Sequence, residues 1–154
     1  LDEMLSAANL APSWKNSQTP RFYVATGEKS KNAVREALPE FNRKNSENAS
    51  AYIVTTVVLN RSGFDKDGTA VTEIGNGWGY YDLGLNNMAL LLKATELGIS
   101  TLVMGIRDGE KLRKEFDIPE TEAVVSVIAV GYTDSEIVRP KRKSVEDFAK
   151  FYED

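Results

Sequence analysis

Two nearly continuous apolar segments constrain the fold of this chain more than any other feature of its sequence. The first is AYIVTTVVL, residues 51–59, and the second is AVVSVIAV, residues 123–130. Both are rich in β-branched residues, which favour strands, and neither alternates apolar with polar residues as a half-exposed strand does. We therefore expect two central strands that are covered on both faces.

Weaker patterns predict further elements around these two strands. Apolar residues at spacings of three and four predict helices, and short β-branched or aromatic runs predict outer strands. The polar stretch 42–50 is predicted to be a loop. The remaining expected elements are a first helix that Pro12 ends, strands over 21–25 and 100–104, and helices over 31–38, 82–98, 110–116 and 144–152. This order predicts a single domain, residues 1–154, with a central sheet wrapped by helices, in the α+β or mixed α/β class.

The predicted helix 82–98 is the longest in the chain. Asp82 is expected to cap its beginning and Gly98 to end it. Its middle, Met88 to Leu92, is apolar on almost every side, so more than one face should be covered. The sequence leaves two explanations open: the centre of a monomeric core, or a contact between subunits.

The residue inventory excludes most self-sufficient catalytic sites. The 154 residues contain neither cysteine nor histidine, so thiolate metal sites, thiol nucleophiles and Ser–His–Asp triads are excluded. The net charge is −4, without long runs of one sign, which argues against nucleic-acid or anionic membrane partners. Without a membrane-length apolar run or a signal peptide, we expect a cytoplasmic protein. Any chemistry is expected to come from a bound cofactor.

A segment between the first helix and the first strand, APSWKNSQTPRF (residues 11–22), is unusually dense in hydrogen-bonding side chains. Turn chemistry is one explanation, because serine and asparagine, here Ser13 and Asn16, favour caps and bends. The other is a binding role, because amides offer donors and acceptors to a polar ligand. Without further information, Lys15 fits a solvated surface lysine as well as a binding residue, and Gly105 fits a turn at the end of a strand as well as a ligand contact. A short basic run such as 139–143 is usually a solvated surface.

Four segments, in this order, resemble the FMN-dependent nitroreductases. APSWKNSQTPRFYV is similar to that family's loop and first aromatic strand. DLGLNNMALLLKATELGISTLVMG resembles its long central helix, the turn that follows and the next strand. FDIPETEAVVSVIAVGY resembles the step into its last core strand, and PKRKSVEDF resembles its basic segment. Together these segments cover most of the chain.

The resemblance implies a fold, an assembly and an activity. The implied fold has a mainly antiparallel central sheet wrapped by helices, in a homodimer with FMN at the subunit interface. The implied activity is that of an NAD(P)H oxidoreductase, with NADH or NADPH as donor. Its acceptor would be a nitroaromatic, a quinone or another electron-poor small molecule. Hydride would pass through flavin N5 in a ping-pong cycle.

The resemblance also implies site residues. Ser13, Asn16 and Gln18 would meet the polar edge of the flavin ring, and Lys15 would stabilise charge on reduced flavin. The backbone N–H at Gly105 would approach flavin N5, and Arg142 with a neighbouring lysine would bind phosphate. The expected catalytic residues are Lys15 and Gly105, and the expected cofactor-binding residues are Ser13, Trp14, Lys15, Asn16, Gln18, Met104, Gly105, Arg142 and Lys143.

Two departures from the family pattern bear on these expectations. Gln18 is followed by Thr19-Pro20 instead of Pro-Trp, and the family's opening Arg-x-Ser-x-Arg segment, which binds FMN phosphate, is expected before Leu1. Two alternatives remain. One keeps the fold but catalyses reductive dehalogenation or flavin fragmentation, and the other is a non-catalytic flavin-binding or interaction module. The glycine-rich stretch 60–79, expected to be a lid, a partner contact or disordered, would distinguish the enzymes.

Overall fold

The computed structural model describes residues 1–136 and 138–153, and within these residues four strands form one antiparallel sheet. The strands are β1 (Pro20–Ala25), β2 (Ala51–Val58), β3 (Ser100–Met104) and β4 (Glu122–Gly131). Their order across the sheet is β1-β2-β4-β3. The helices are α1 (Asp2–Asn9), α2 (Glu28–Glu36), α3 (Glu40–Asn45), α4 (Gly77–Glu96), α5 (Gly109–Glu115) and α6 (Val145–Phe148). The predicted α+β class and antiparallel sheet are confirmed.

The two central strands are covered on both faces, as their sequences predict. Side chains of β2 alternate, with Tyr52 and Val54 packing on one face and Ile53 on the other. On the Tyr52 face the core is completed by residues of α2 and α5, including Val34 and Leu112. On the opposite face it is completed by α1 and α4. The result is three layers, with the sheet between two pairs of helices.

Helix α4 begins five residues before the predicted start, so the expectation that Asp82 caps it is wrong. Glycines at 75, 77 and 79 suggest a loop, but the first turn of α4 lies against β2. A Cβ atom at Gly79 would lie 2.8 Å from Cγ2 of Val57, so only glycine fits without a shift. Packing therefore overrides the low helix propensity of glycine. The predicted end is confirmed, because Gly98 has a left-handed φ of +70°.

Three other predicted boundaries differ from the structure. Helix α2 runs over 28–36 instead of 31–38, and an ion pair of 2.6 Å between Glu28 and Lys31 joins its first turn. Residues 42–45 of the predicted loop 42–50 belong to α3, which is fixed by a long-range hydrogen bond from Asn42 Nδ2 to the carbonyl of Ile106 (3.0 Å). The predicted helix 144–152 is reduced to α6, whose residues are exposed and lack a surface on which an apolar face is buried.

The stretch 60–76 folds into consecutive turns that are tied together at both ends. Asn60 and Asn76 are joined by two hydrogen bonds, of 2.7 and 3.0 Å. An isolated antiparallel bridge pairs Phe64 with Ala70. The stretch is therefore closed on itself before α4 begins. Across the described residues, none of the helices, α4 included, has the length and apolarity that a bilayer span requires.

The close approach at Gly79 gives the first prediction. We expect Gly79→Ala to lower the free energy of unfolding by about 1–3 kcal/mol, because the added methyl group overlaps Val57. The control is Gly109→Ala in α5, where an added Cβ would make an ordinary contact of 3.8 Å with Val124. Urea denaturation measures both variants. An equal effect of the two substitutions would contradict this account of why α4 begins with glycines.

Candidate functional site

The turn that follows α1 has a strained backbone. Trp14–Asn16 form a single 3₁₀ turn. Lys15, Asn16 and Gln18 have φ values of +46°, +55° and +48°. These values lie in the left-handed region, which asparagine tolerates but which costs residues such as Lys15 and Gln18 about 1–2 kcal/mol. Such strain persists only where the surrounding structure enforces it, and it is concentrated at functional sites. We call residues 13–18 the strained turn.

A buried carboxylate from α4 holds the beginning of this turn. The backbone N–H of Trp14 donates to both carboxylate oxygens of Asp82, at 3.1 Å each. The Ser62 hydroxyl donates to the same carboxylate at 2.6 Å, and Asp82 is only 2% exposed. Within the turn, the backbone N–H of Gln18 donates to Ser13 Oγ at 3.0 Å. Asp82 thus connects the strained turn, the 60–76 stretch and α4.

Aromatic packing supports the same connection. The ring of Trp14 lies on that of Trp78, with 4.7 Å between the centroids. Trp78 in turn meets the edge of Tyr81 at 5.8 Å, and its indole N–H donates to Thr72 Oγ1 at 2.8 Å. Trp78 therefore packs within the chain, whereas the Tyr81 side chain remains exposed.

Lys15 extends from the strained turn toward solvent. Its Nζ lies 3.4 Å from a carboxylate oxygen of Asp65, and both side chains are more than half exposed. An exposed pair of this kind is weak, so it leaves the ammonium group free to exchange partners. Asp67, two residues on, accepts a hydrogen bond from the backbone N–H of Thr69 (2.9 Å), which lowers the pKa of its carboxyl group.

A cavity of about 190 Å³ lies beside the strained turn. Ser13 and Gln18 line it, so the structure brings these two predicted residues together. Asn86 of α4 and Arg21 of β1 also line it, and the sequence did not single them out. A signal existed for Asn86, because Asn86-Asn87 is a polar pair inside an apolar helix. The other lining residues are Leu5, Asn9, Ala11, Pro20 and Phe22.

The end of β3 forms a second part of the candidate site. The Met104 side chain is buried in the core, so only its backbone can meet a ligand. At Gly105, by contrast, no atom lies within 4 Å of the position that a Cβ would occupy. Arg107 donates to the carbonyl of Gly105 at 3.2 Å, and Asn42 fixes the next carbonyl, that of Ile106. The peptide that follows Gly105 is therefore fixed, with open space above it.

Arg142 and Lys143 lie on the C-terminal segment and do not line the cavity at Ser13 and Gln18. Arg142 donates to the Pro140 carbonyl at 3.1 Å, and both basic side chains are exposed. One chain therefore presents the expected site residues on three segments: the strained turn, the end of β3 and the C-terminal segment. Within residues 1–136 and 138–153, acidic side chains form no cluster of three or more that could hold a metal ion.

Comparison with known proteins shows similarity in sequence and in fold. The model of the Nitroreductase family matches residues 1–132, so the match ends where the exposed C-terminal segment begins. No curated protein sequence matches the chain.

Solved structures with the same fold extend this comparison. A nitroreductase family protein from Streptococcus pneumoniae TIGR4 has a TM-score of 0.79 and 21% identity, covering 97% of this chain and 86% of that one. CLA-ER, an enone reductase of gut-bacterial fatty acid saturation, has a TM-score of 0.83 and 20% identity, covering 97% and 85%. An oxidoreductase containing FMN has a TM-score of 0.73 and 25% identity, covering 86% and 65%.

The backbone of the strained turn gives the second prediction. We expect Gln18→Gly to raise the free energy of unfolding by up to about 1 kcal/mol, because glycine adopts a left-handed φ without a steric penalty. The exposed Gln18 side chain makes no internal hydrogen bond among the described residues, so little else is lost. Lys29→Gly in α2, an exposed helical position, is the control and should lower stability. Chemical denaturation compares them, and a loss of stability in Gln18→Gly would contradict the assignment of strain.

Proposed function

The chain belongs to the Nitroreductase family, and from this premise we propose that it is an FMN-dependent NAD(P)H oxidoreductase acting on electron-poor small molecules. The strained turn carries the proposal. It combines backbone strain, which is typical of functional sites, with Ser13 and Gln18 at the edge of one cavity. Its polar side chains match a ring whose edge alternates carbonyl acceptors with N–H donors.

The residues present fit such a ligand on two grounds, and the size of the cavity limits how much of the ligand it can enclose. The side-chain amides of Asn16 and Gln18 are exposed and make no internal hydrogen bonds within the described parts of the chain. The open space at Gly105 lets a planar ring approach the backbone. The cavity beside the turn, about 190 Å³, is smaller than the roughly 300–1,000 Å³ of typical ligand sites. It would therefore hold part of the cofactor.

The chain's own residues would bind and orient the reacting groups. We propose that Ser13, Asn16 and Gln18 fix the polar edge of the ring and that Lys15 balances negative charge on it. The fixed backbone at Gly105 would set the distance to the reacting edge. Bound FMN would supply the redox chemistry, taking a hydride from NADH or NADPH and passing electrons to an acceptor. This division of work suits a chain without histidine or cysteine.

A homodimer would complete the site. Helix α4 packs on the sheet through Leu90 and Ala94, but at the opposite face Tyr81, Met88 and Leu92 are 61%, 53% and 59% exposed. These three positions follow helical spacing and form one apolar stripe. An exposed stripe of this kind marks an interface. Its occupant is proposed to be the same stripe of a second copy.

The C-terminal segment supports the same assembly. Of the described residues between Tyr132 and Glu153, all except Ala149 are exposed. They include the large apolar side chains Tyr132, Val138, Val145, Phe148, Phe151 and Tyr152. A segment with so many exposed aromatic groups requires a surface from another chain. We propose that it lies on the second copy, where Arg142 and Lys143 would bind the FMN phosphate.

The third prediction tests the cofactor. The purified protein should bind FMN, and NADH or NADPH should bleach the bound flavin under anaerobic conditions. Arg142→Ala should raise the Kd for FMN about 10- to 100-fold, since a charge-assisted contact contributes about 1.5–3 kcal/mol. Its unfolding should be unchanged, because among the described residues its guanidinium donates only to the carbonyl of Pro140, two positions earlier.

Flavin fluorescence titration and anaerobic absorbance spectra make these measurements. Lys150→Ala, on the same exposed segment, is the control for Arg142→Ala. A wild-type protein that remains colourless after incubation with FMN and removal of the unbound flavin rules out the proposed activity and favours a flavin-free interaction module. If FMN binds but neither NADH nor NADPH reduces it, the result favours a non-catalytic flavin-binding protein.

The fourth prediction tests the dimer. Leu92→Glu should convert a dimer to a monomer, because it places a charge in the centre of the apolar stripe on α4. Phe41→Glu on α3 is the matched control. Phe41 is also exposed, at 73%, but α3 lies on the Tyr52 side of the sheet, where the Tyr52 hydroxyl donates to the carbonyl of Ser46 at the end of α3. Sedimentation equilibrium measures the mass of each, and a monomeric wild type, or a dimer in Leu92→Glu, would contradict the proposed interface.

A further inference from the structure

We infer that Asp82 is a positioning residue: it holds the strained turn in the shape that meets the cofactor. This inference rests on the proposed function. The residue touches no substrate-facing surface itself, being 2% exposed. It acts through the N–H of Trp14, which both of its carboxylate oxygens accept at 3.1 Å.

The position of Asp82 is not explained by the needs of α4. It is the sixth residue of the helix, beyond the first turn, where a carboxylate would cap free N–H groups. Aspartate is also a poor residue for a helix interior. Burying a carboxylate is costly unless its hydrogen bonds are satisfied. The bonds that satisfy it go to residues outside α4, namely Trp14 and Ser62.

The anchored N–H lies immediately before the strained residues. Lys15 and Asn16 follow Trp14 directly, and Gln18 lies two residues further on. With Trp14 fixed by Asp82, the chain has to reach β1 at Pro20 within five residues. The three residues with left-handed φ values lie within this short connection. The hydrogen bonds from Trp14 to Asp82 therefore maintain the strain by fixing the beginning of the turn.

Asp82 also fixes the position of the turn relative to one wall of the cavity. Asn86, one helical turn after Asp82, donates from Nδ2 to the backbone carbonyl of Asp82 at 3.2 Å. Asn86 lines the cavity that Ser13 and Gln18 share. A shift of the turn relative to Asp82 would therefore separate these polar groups. A turn that is already fixed before binding reduces the conformational entropy that is lost when a ligand binds.

The test is limited trypsin digestion of the cofactor-free protein, followed by mass analysis of the cut between Lys15 and Asn16. Trypsin requires a locally extended chain, so the cleavage rate reports opening of the turn. Asp82→Ala should raise this rate about tenfold or more, since it removes hydrogen bonds to a buried charged acceptor. Asp82→Asn should stay close to wild type, because its amide can accept from Trp14 and donate to Ser62.

Two further variants separate positioning from general stability. Asp108→Ala removes the N-cap of α5, where Asp108 accepts from the backbone N–H of Lys111 at 3.0 Å. It should lower stability without exposing Lys15 to trypsin. Ser62→Ala removes only the hydroxyl that orients the carboxylate, and should give a smaller increase than Asp82→Ala. It also keeps the test decisive if Asp82→Ala fails to fold.

Each outcome is informative. The inference is overturned if neither Asp82→Ala nor Ser62→Ala is cut after Lys15 faster than Asp108→Ala. It is also overturned if Asp82→Ala is cut faster but binds FMN as tightly as wild type, because the order of the turn would then not matter to the cofactor. A wild-type protein that does not bind FMN contradicts the proposed function instead, while the digestion still decides whether Asp82 holds the turn.

Discussion

The burial of β2 and β4 on both faces is the constraint from which the rest of the structure follows. Two strands without a polar face cannot stand at a surface, so helices have to cover both sides of the sheet. Helix α4 supplies much of one cover and lies close enough to β2 that Gly79 cannot carry a side chain. Because α4 meets the sheet along one stripe, its opposite stripe faces outward, where Met88 and Leu92 remain exposed.

This fixed helix is also the support of the candidate site. Asp82 connects α4 to the strained turn, and Asn86 brings the same helix to the cavity beside it. A buried carboxylate is a costly way to stabilise a helix, whereas it is an effective way to hold one backbone N–H at a defined place. The buried carboxylate costs folding stability but fixes the position of the turn. This is expected of a scaffold for the proposed cofactor in a chain without cysteine or histidine.

The sequence predicts the parts of this structure that depend on local pattern. The central strands are predicted because β-branched runs indicate burial on both faces. Ser13 and Gln18 are singled out because polar residues crowd one bend, and the structure places both at one cavity. The start of α4, helix α3 and the roles of Asp82 and Asn86 depend on contacts between distant segments, which local patterns do not encode. Arg142 and Lys143 are exposed in the single chain, and the role proposed for them depends on the proposed second copy.

The central claim is that the fold holds the strained turn in place before any cofactor arrives. Amide hydrogen exchange of the cofactor-free protein, measured by NMR at Trp14 and Lys15, tests it most directly. The Trp14 N–H donates to a buried carboxylate, whereas the N–H of Lys15 has no acceptor among the described residues. The account predicts that, relative to unstructured rates, Trp14 exchanges much more slowly than Lys15. Equal protection at the two amides would contradict it.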